Sequence, residues 1–282
     1  DLSTLYMNNS LYCTSKLVYE NLVDFDNGEI VPGLAESWEY NDDQTELTFH
    51  LRQGVTFHNG EPFNAEAVKT NLEHKQSNPS FYSLKGITDI QEIEVVDEYT
   101  ITLHYDHPFY AYLQDFCWPD VNPMSAPEYI IPGDFQTISG VAGTGPYIYD
   151  EYVAGEYTRF VRNEDYWGET PYWDEIIVKY IPDSTSRLQA LQTGEIDMIY
   201  GGTLLTYEEY DQALAMDGID GQMAEKDTRV QVITTNATSP YLSDIRVRQA
   251  IAYAIDKEEM SVAISNGYEP PADIPATRDT PY

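Results

Sequence analysis

Gly143-Thr144-Gly145-Pro146-Tyr147, Val161-Arg162-Asn163-Glu164-Asp165-Tyr166-Trp167-Gly168 and Thr193-Gly194-Glu195-Ile196-Asp197-Met198-Ile199-Tyr200 mark out the stretch whose reading decides the fold. Between the first two motifs, Tyr147 to Tyr152 and Tyr157 to Arg162 predict a hairpin across Ala154-Gly155. Ile176 to Ile181 is a near-continuous apolar strand. Pro182-Asp183-Ser184 opens a helix with Leu188 and Leu191 on its buried face, and Gly194 is a left-handed stop. Ile196 to Tyr200 reads as the next strand. Strand, short helix and strand joined by short links predict a parallel βαβ crossover, and hence an α/β fold.

Working outward, the residues before Gly143 follow another pattern. Leu17 to Val23 carries apolar positions at helical spacing (Leu17, Val18, Leu22), with Thr14 or Ser15 as a cap. Asp26-Asn27-Gly28 is a turn. Glu46 to Phe57 alternates with Leu47, Phe49 and Leu51 on one side, and Gln53-Gly54 breaks the run, so it reads as a half-buried strand or a hairpin. Asn59-Gly60-Glu61-Pro62 is a turn, and Asn64 caps a helix from about Ala65 to Lys75 with Val68 and Leu72 inward. Ile90 to Val96 and Tyr99 to Tyr105 form an antiparallel pair around Asp97-Glu98. Residues 39–141 therefore read as an α+β insertion, with 1–38 and 142–267 forming one discontinuous main α/β subdomain. In the last part, Val230 to Thr234 reads as a strand. Asp244 caps a helix carrying Val247, Ile251 and Ala254, Asp256 caps another, and residues 268–282 lack periodicity and read as a linker.

The 282 residues, 42% hydrophobic, can bury a substantial core. Lys and Arg number 15 against 48 Asp and Glu, a formal net charge of −33 that repels nucleic acid and anionic lipid surfaces. Such charge fits a solvated extracellular surface, with an acidic field for cations as the second reading. The 24 tyrosines suit surfaces that hold ligands, because Tyr brings apolar area with a polar tip. Cys13 and Cys117 make no disulfide framework; one bridge or two free thiols both fit. No apolar run approaches a membrane span, and an export leader is expected upstream of Asp1.

Catalytic patterns are absent. His104 and His107 flank Asp106, yet no third nitrogen or sulfur ligand stands at metal spacing, so no metal is expected. His50 and His58 read as strand and turn residues. Gly143-Thr144-Gly145 is no phosphate cradle, because Pro146 removes a needed amide; it reads as a tight crossing between domains. No nucleophile elbow occurs, neither cysteine sits in a nucleophile signature, and no cofactor motif is present.

Taken together, several segments resemble extracellular solute-binding protein family 5, the substrate-binding components of ABC importers for peptides, nickel and metal chelates. They are Leu17-Val18-Tyr19-Glu20-Asn21-Leu22-Val23, Leu34-Ala35-Glu36-Ser37-Trp38, Leu51-Arg52-Gln53-Gly54-Val55-Thr56-Phe57-His58-Asn59-Gly60-Glu61-Pro62-Phe63, Gly143-Thr144-Gly145-Pro146-Tyr147, Arg162-Asn163-Glu164-Asp165-Tyr166-Trp167-Gly168, Ile181-Pro182-Asp183, Gly194-Glu195-Ile196-Asp197, and Val247-Arg248-Gln249-Ala250-Ile251-Ala252-Tyr253-Ala254-Ile255-Asp256. The resemblance implies a periplasmic-binding-protein-like type II lobe, a mixed sheet with flanking helices and an inserted α+β subdomain. A second lobe is expected beyond this chain. The family's charged anchors for peptide termini, and a histidine near bound nickel complexes, belong to that second lobe.

Carried over by position, the implied cleft residues of this lobe are Asn8, Asn9, Ser10, Leu11, Tyr12 and Cys13, then Phe81 and Tyr82, then Trp118, Asp120 and Asn122 within Cys117 to Met124. Asn8 to Leu11 is the implied edge for a peptide's main chain, and Tyr12, Phe81 and Trp118 would supply an aromatic floor. Nickel-chelate binders carry an arginine where Pro123 stands here, which argues against the same anionic-chelate chemistry. Cys13 and Cys117 both fall in these segments, so a bridge across the cleft floor is one reading. The resemblance thus implies a monomeric, extracellular, periplasmic or lipid-tethered receptor, not an enzyme, that delivers a small-molecule or peptide ligand to permease subunits. The alternatives are an acidic secreted hydrolase acting on glycans or peptides, and an adhesion or signalling module on the same scaffold.

Overall fold

A computed structural model describes residues 12–26, 28–78, 84–117, 124–134, 139–201, 204–223, 230 and 232–272. The chain divides into two compact units, residues 1–180 and 181–282.

In the first unit, helix α1 (Tyr12–Val18) runs into a two-stranded antiparallel ribbon, β1 (Val23–Asp26) and β2 (Glu29–Pro32). The helix expected over Leu17 to Val23 therefore lies earlier. Its last turn closes with Tyr19 N–H on the Ser15 carbonyl, and Asn21 and Leu22 turn their carbonyls to Gly33, Leu34 and Ala35. Gly33 permits this approach, since an added Cβ would stand 2.5 Å from the Asn21 carbonyl oxygen.

The next sheet has the order β3-β4-β6-β5, all antiparallel: β3 (Ala35–Tyr40), β4 (Glu46–Leu51), β6 (Thr100–Tyr105) and β5 (Ile90–Asp97). The alternation in β4 appears as expected, with Leu47, Phe49 and Leu51 buried and the intervening residues part-exposed. Helix α2 (Ala65–Gln76) contributes Val68 and Leu72 to this core, and the Asn64 side chain caps it by accepting from Ala67 N–H at 3.0 Å. Two short helices, α3 (Lys85–Thr88) and α4 (Tyr112–Asp115), complete this layer. Phe49 and Phe116 meet edge-to-face at its centre, 5.3 Å apart. Strands and helices thus share one core here, and β3 runs across the boundary expected at 38/39.

After Gly143 the expected hairpin forms as β7 (Tyr147–Val153) and β8 (Tyr157–Arg162), and β9 (Glu175–Lys179) pairs with β8. A second, smaller core of Val18, Tyr19, Tyr147 and Phe160 packs this sheet on the end of α1. The expected parallel crossover is not observed. β9 is antiparallel to β8, and residues 196–200 have no strand partner among the described residues. Met198 and Tyr200 stand 70% and 62% exposed, and an apolar run becomes a strand only where a neighbour takes its backbone groups.

Among its described residues the second unit holds four capped helices: α5 (Ser184–Gln192), α6 (Tyr207–Leu214), α7 (Ile245–Ala254) and α8 (Lys257–Ser265). Asp183, Thr206, Asp244 and Asp256 each accept a backbone N–H, three of them at positions legible in the sequence. Thr206 and Glu209 form a reciprocal capping box. The strand expected over Val230 to Thr234 is absent among the described residues, and Val232 and Ile233 are exposed. No residue of α7 is buried, so its apolar positions Val247 and Ile251 lie open. Tyr268 stacks on Tyr207 with centroids 5.3 Å apart and donates to Asp211 at 2.5 Å.

Candidate ligand-binding site

Most of the residues implied as cleft lining lie outside the described residues: Asn8, Asn9, Ser10 and Leu11, Phe81 and Tyr82, Trp118, Asp120 and Asn122. Tyr12 and Cys13 open helix α1 with their backbone alone described. What the structure does define is the footing of each segment, and these footings are tied together.

The segment 118–123 is held at both ends against the residues that follow α1. Asn21 Nδ2 donates to the Cys117 carbonyl at 3.4 Å, and Met124 N–H donates to the Glu20 carbonyl at 2.8 Å. Asn71 of α2 then clamps Ser125 from both sides, accepting its N–H at 2.9 Å and donating to its carbonyl at 2.8 Å. The segment 79–83 leads into α3, where Gly86 N–H donates to Asp115 Oδ2 at 2.7 Å and the Gly86 carbonyl accepts from Tyr105. An added Cβ on Gly86 would meet the Tyr112 carbonyl oxygen at 2.5 Å, so α3 and α4 touch backbone to backbone. The polypeptide therefore brings the bases of all three segments onto α1, α3 and α4, although their sequence positions are far apart.

Glu20 organises this floor. Its carboxylate accepts from Thr144 Oγ1 at 2.8 Å, Tyr166 OH at 2.7 Å and Trp167 Nε1 at 2.7 Å. Burial pushes its pKa up, and the three donors and nearby Asp24 modify that rise, the donors lowering it and Asp24 adding to it. Gly143-Thr144-Gly145 lies tightly against the end of α1. Gly145 N–H donates to the Val18 carbonyl at 2.8 Å, and a Cβ on Gly145 would stand 2.7 Å from the Leu17 carbonyl oxygen. On its other side the Gly145 carbonyl meets His58 Nε2 at 2.9 Å and Asn163 Nδ2 at 3.1 Å. Burial holds the His58 imidazole below its ordinary value, opposed by that carbonyl. Arg52 lies over the Trp167 ring at 4.5 Å and donates to the Gly33 carbonyl, completing the support.

Cys117 is a buried free thiol whose Sγ reaches the Leu113 carbonyl at 3.8 Å, so the bridge to Cys13 is not formed. Burial pushes that thiol up to about 12, which keeps it protonated and unreactive. His104 sits between Glu94 at 3.1 Å and Glu46 at 3.5 Å on the outer face of the sheet. His107 pairs with its neighbour Asp106. Among the described residues no group of three His, Cys, Asp or Glu side chains is placed to hold a metal ion. No helix among them is long and apolar enough to cross a membrane.

Sequence reasoning missed Glu20, Asn71 and Asn163 as organisers. Glu20, Asn163, Tyr166 and Trp167 all fall inside the segments that carried the resemblance, which names the segments but not which residues pair.

The sequence profile of the bacterial extracellular solute-binding proteins, family 5, matches residues 29–282. The chain is 32% identical to the nickel-binding periplasmic protein of Escherichia coli K12, over 99% of this chain and 53% of that protein. It is 27% identical to the dipeptide-binding protein of the same strain, over 93% of this chain and 53% of that one. NikA from Brucella suis, solved in complex with Fe(III)-EDTA, superposes with a TM-score of 0.89 at 33% identity, covering 99% of this chain and 57% of NikA. The chain spans about half the length of the curated relatives it matches. It belongs to the bacterial extracellular solute-binding proteins of family 5.

Proposed function

We propose that this chain supplies one lobe of a solute receptor that works outside the cytoplasmic membrane, capturing an oligopeptide or a nickel or metal chelate between two lobes and passing it to an ABC permease. The observation that carries this reading is likeness along nearly the whole chain, in sequence to a nickel-binding periplasmic protein and in fold to NikA. The ties that join the end of α1 to Cys117 and Met124, and α3 to α4, support a shared site for the segments between them. In this reading 1–38 and 142–267 form the main subdomain, 39–141 the insertion and 268–282 the connection onward. Asn8 to Cys13, Phe81, Tyr82, Trp118, Asp120 and Asn122 line the ligand.

Capture needs no covalent chemistry. Closure follows because the ligand makes contacts in the closed state that the open state lacks. The relatives are named for binding and transport, and among the described residues Cys117 is buried with its thiol pushed up to about 12. We therefore read the protein as a receptor rather than a hydrolase. Calorimetric titration of the full-length protein with di- to pentapeptides, Ni(II) and Ni(II)–histidine tests this. Saturable 1:1 binding weakened at least tenfold by Trp118→Ala supports it, and tight binding untouched by Tyr12→Ala, Phe81→Ala and Trp118→Ala contradicts the site.

A further inference from the structure

At the C-terminal end of α1 a cavity of about 150 Å³ opens among Lys16, Tyr19, Glu20, Asn21, Asp24 and Tyr166. That volume takes a ligand portion of about six non-hydrogen atoms. Glu20, Asn21 and Asp24 bring acceptor oxygens to its lining. Asn21 is 2% exposed, and its Oδ1 is buried with no hydrogen-bond partner, while its Nδ2 makes only long contacts to Asp24 and Cys117 at 3.4 Å each. Buried acceptors are nearly always satisfied in folded proteins, so an orphaned one beside a cavity points to a missing donor. Glu20 Oε1 accepts from Tyr166 alone, whereas Oε2 takes both Thr144 and Trp167.

The donor that belongs here is cationic. Two carboxylates exclude an anion, and the polar lining does not favour a purely apolar group. The chain already seats one primary ammonium at this place, because Lys16 Nζ lies 2.9 Å from Asp24 Oδ1. A metal ion fits poorly: no suitable ligand trio exists among the described residues, and ligation by Glu20 would break its bonds to buried donors. The rings of Tyr19 and Tyr166 give the flank that attracts an organic cation.

We propose that this cavity binds the primary ammonium group of a small ligand, with Asn21 Oδ1, Asp24 and Glu20 Oε1 as its three acceptors. The proposal is independent of which solute occupies the cleft between lobes, and it stands on residues 16–24 and 166 alone. The ammonium can come from a free amine or from a peptide amino terminus, and the probes separate them.

The test is NMR titration of the protein, reading the indole Nε1–H of Trp167, which donates to Glu20. Probes are ethylammonium, tetramethylammonium and sodium chloride at equal ionic strength, with glycylglycine and N-acetylglycylglycine. A saturable shift with ethylammonium, absent with tetramethylammonium and sodium, supports a free-amine site. Saturation by glycylglycine but not its acetylated form supports a peptide terminus. In either case Asp24→Asn, and Asn21→Leu where it folds, must weaken binding at least tenfold with the Trp167 signal still dispersed. A response shared with sodium, one that never saturates, or one that Asp24→Asn leaves unchanged overturns the proposal. So does an ethylammonium-soaked crystal with only water on Asn21 Oδ1.

Discussion

Glu20 and Trp167 stand 147 positions apart in the chain, yet the Trp167 indole donates to the Glu20 carboxylate at 2.7 Å. With Thr144 and Tyr166 on the same carboxylate, this bond ties the end of α1 to the glycine-rich segment before β7 and to the loop between β8 and β9.

Removing the carboxylate strands three donors at once. Each buried, unsatisfied group costs about 1–3 kcal/mol, so Glu20→Ala is expected to cost about 3–5 kcal/mol. Trp167→Phe, which deletes a single charge-assisted bond and the ring edge, is expected to cost about 2 kcal/mol. Urea unfolding followed by tyrosine fluorescence and circular dichroism checks both. A cost below 1 kcal/mol for Glu20→Ala contradicts the role given to it.

Gly143 sets a second expectation. A Cβ there would collide with the Val18 carbonyl and lie 2.7 Å from the Tyr19 ring. Backbone cannot step aside cheaply, so Gly143→Ala is expected to destabilise by about 2–4 kcal/mol. At Gly155, in the β7–β8 turn with nothing within 4 Å, the cost comes only from its positive φ of 76° and is expected near 1 kcal/mol. Thermal melts of the two variants give the comparison.

Lys75 gives a pH dependence. It is 1% exposed, and burial pushes its amine from 10.5 down to about 7. Between those values the unfolded chain binds the proton more tightly, so Lys75 makes stability rise with pH across about 7 to 10.5. Below about 7 both states are protonated and the full desolvation cost remains. Lys75→Met is therefore expected to raise the melting temperature at pH 7 by about 2–4 °C for each kcal/mol recovered. The wild-type minus variant difference should shrink towards pH 10; a constant difference contradicts the assignment.

Asp244 caps α7 by accepting from Arg246 N–H at 2.9 Å, yet α7 buries none of its residues. Asp244→Ala is expected to cost about 1 kcal/mol, felt locally. Hydrogen exchange should quicken in α7 and leave β4 and β6 unchanged.

Legibility followed the range of the interactions. Helix starts at Asn64, Asp183, Asp244 and Asp256 were readable because a cap acts on an amide two or three residues away. The β5–β6 and β7–β8 hairpins were readable because turn and alternation lie side by side. The crossover at 176–200 misled because periodicity reports that a segment can pair and says nothing of its partner; β9 pairs with β8, and 196–200 has no strand partner among the described residues. α1 was displaced because Leu17 and Val18 fit a helix ending at Val18 as well as one running on, and the backbone demand of Gly33 to Ala35 decided between them. Of the site, the resemblance named the segments, and only the fold showed that Glu20, Asn21 and Asn71 fasten their bases together.

The proposed receptor holds its solute and returns it unchanged. Native mass spectrometry of the full-length protein, as purified and after incubation with peptides and Ni(II)–histidine, tests it most directly. One non-covalent ligand per protein is expected, released on gentle activation at its original mass. A ligand recovered as cleaved product, or a protein that retains nothing from either class of probe, would contradict it.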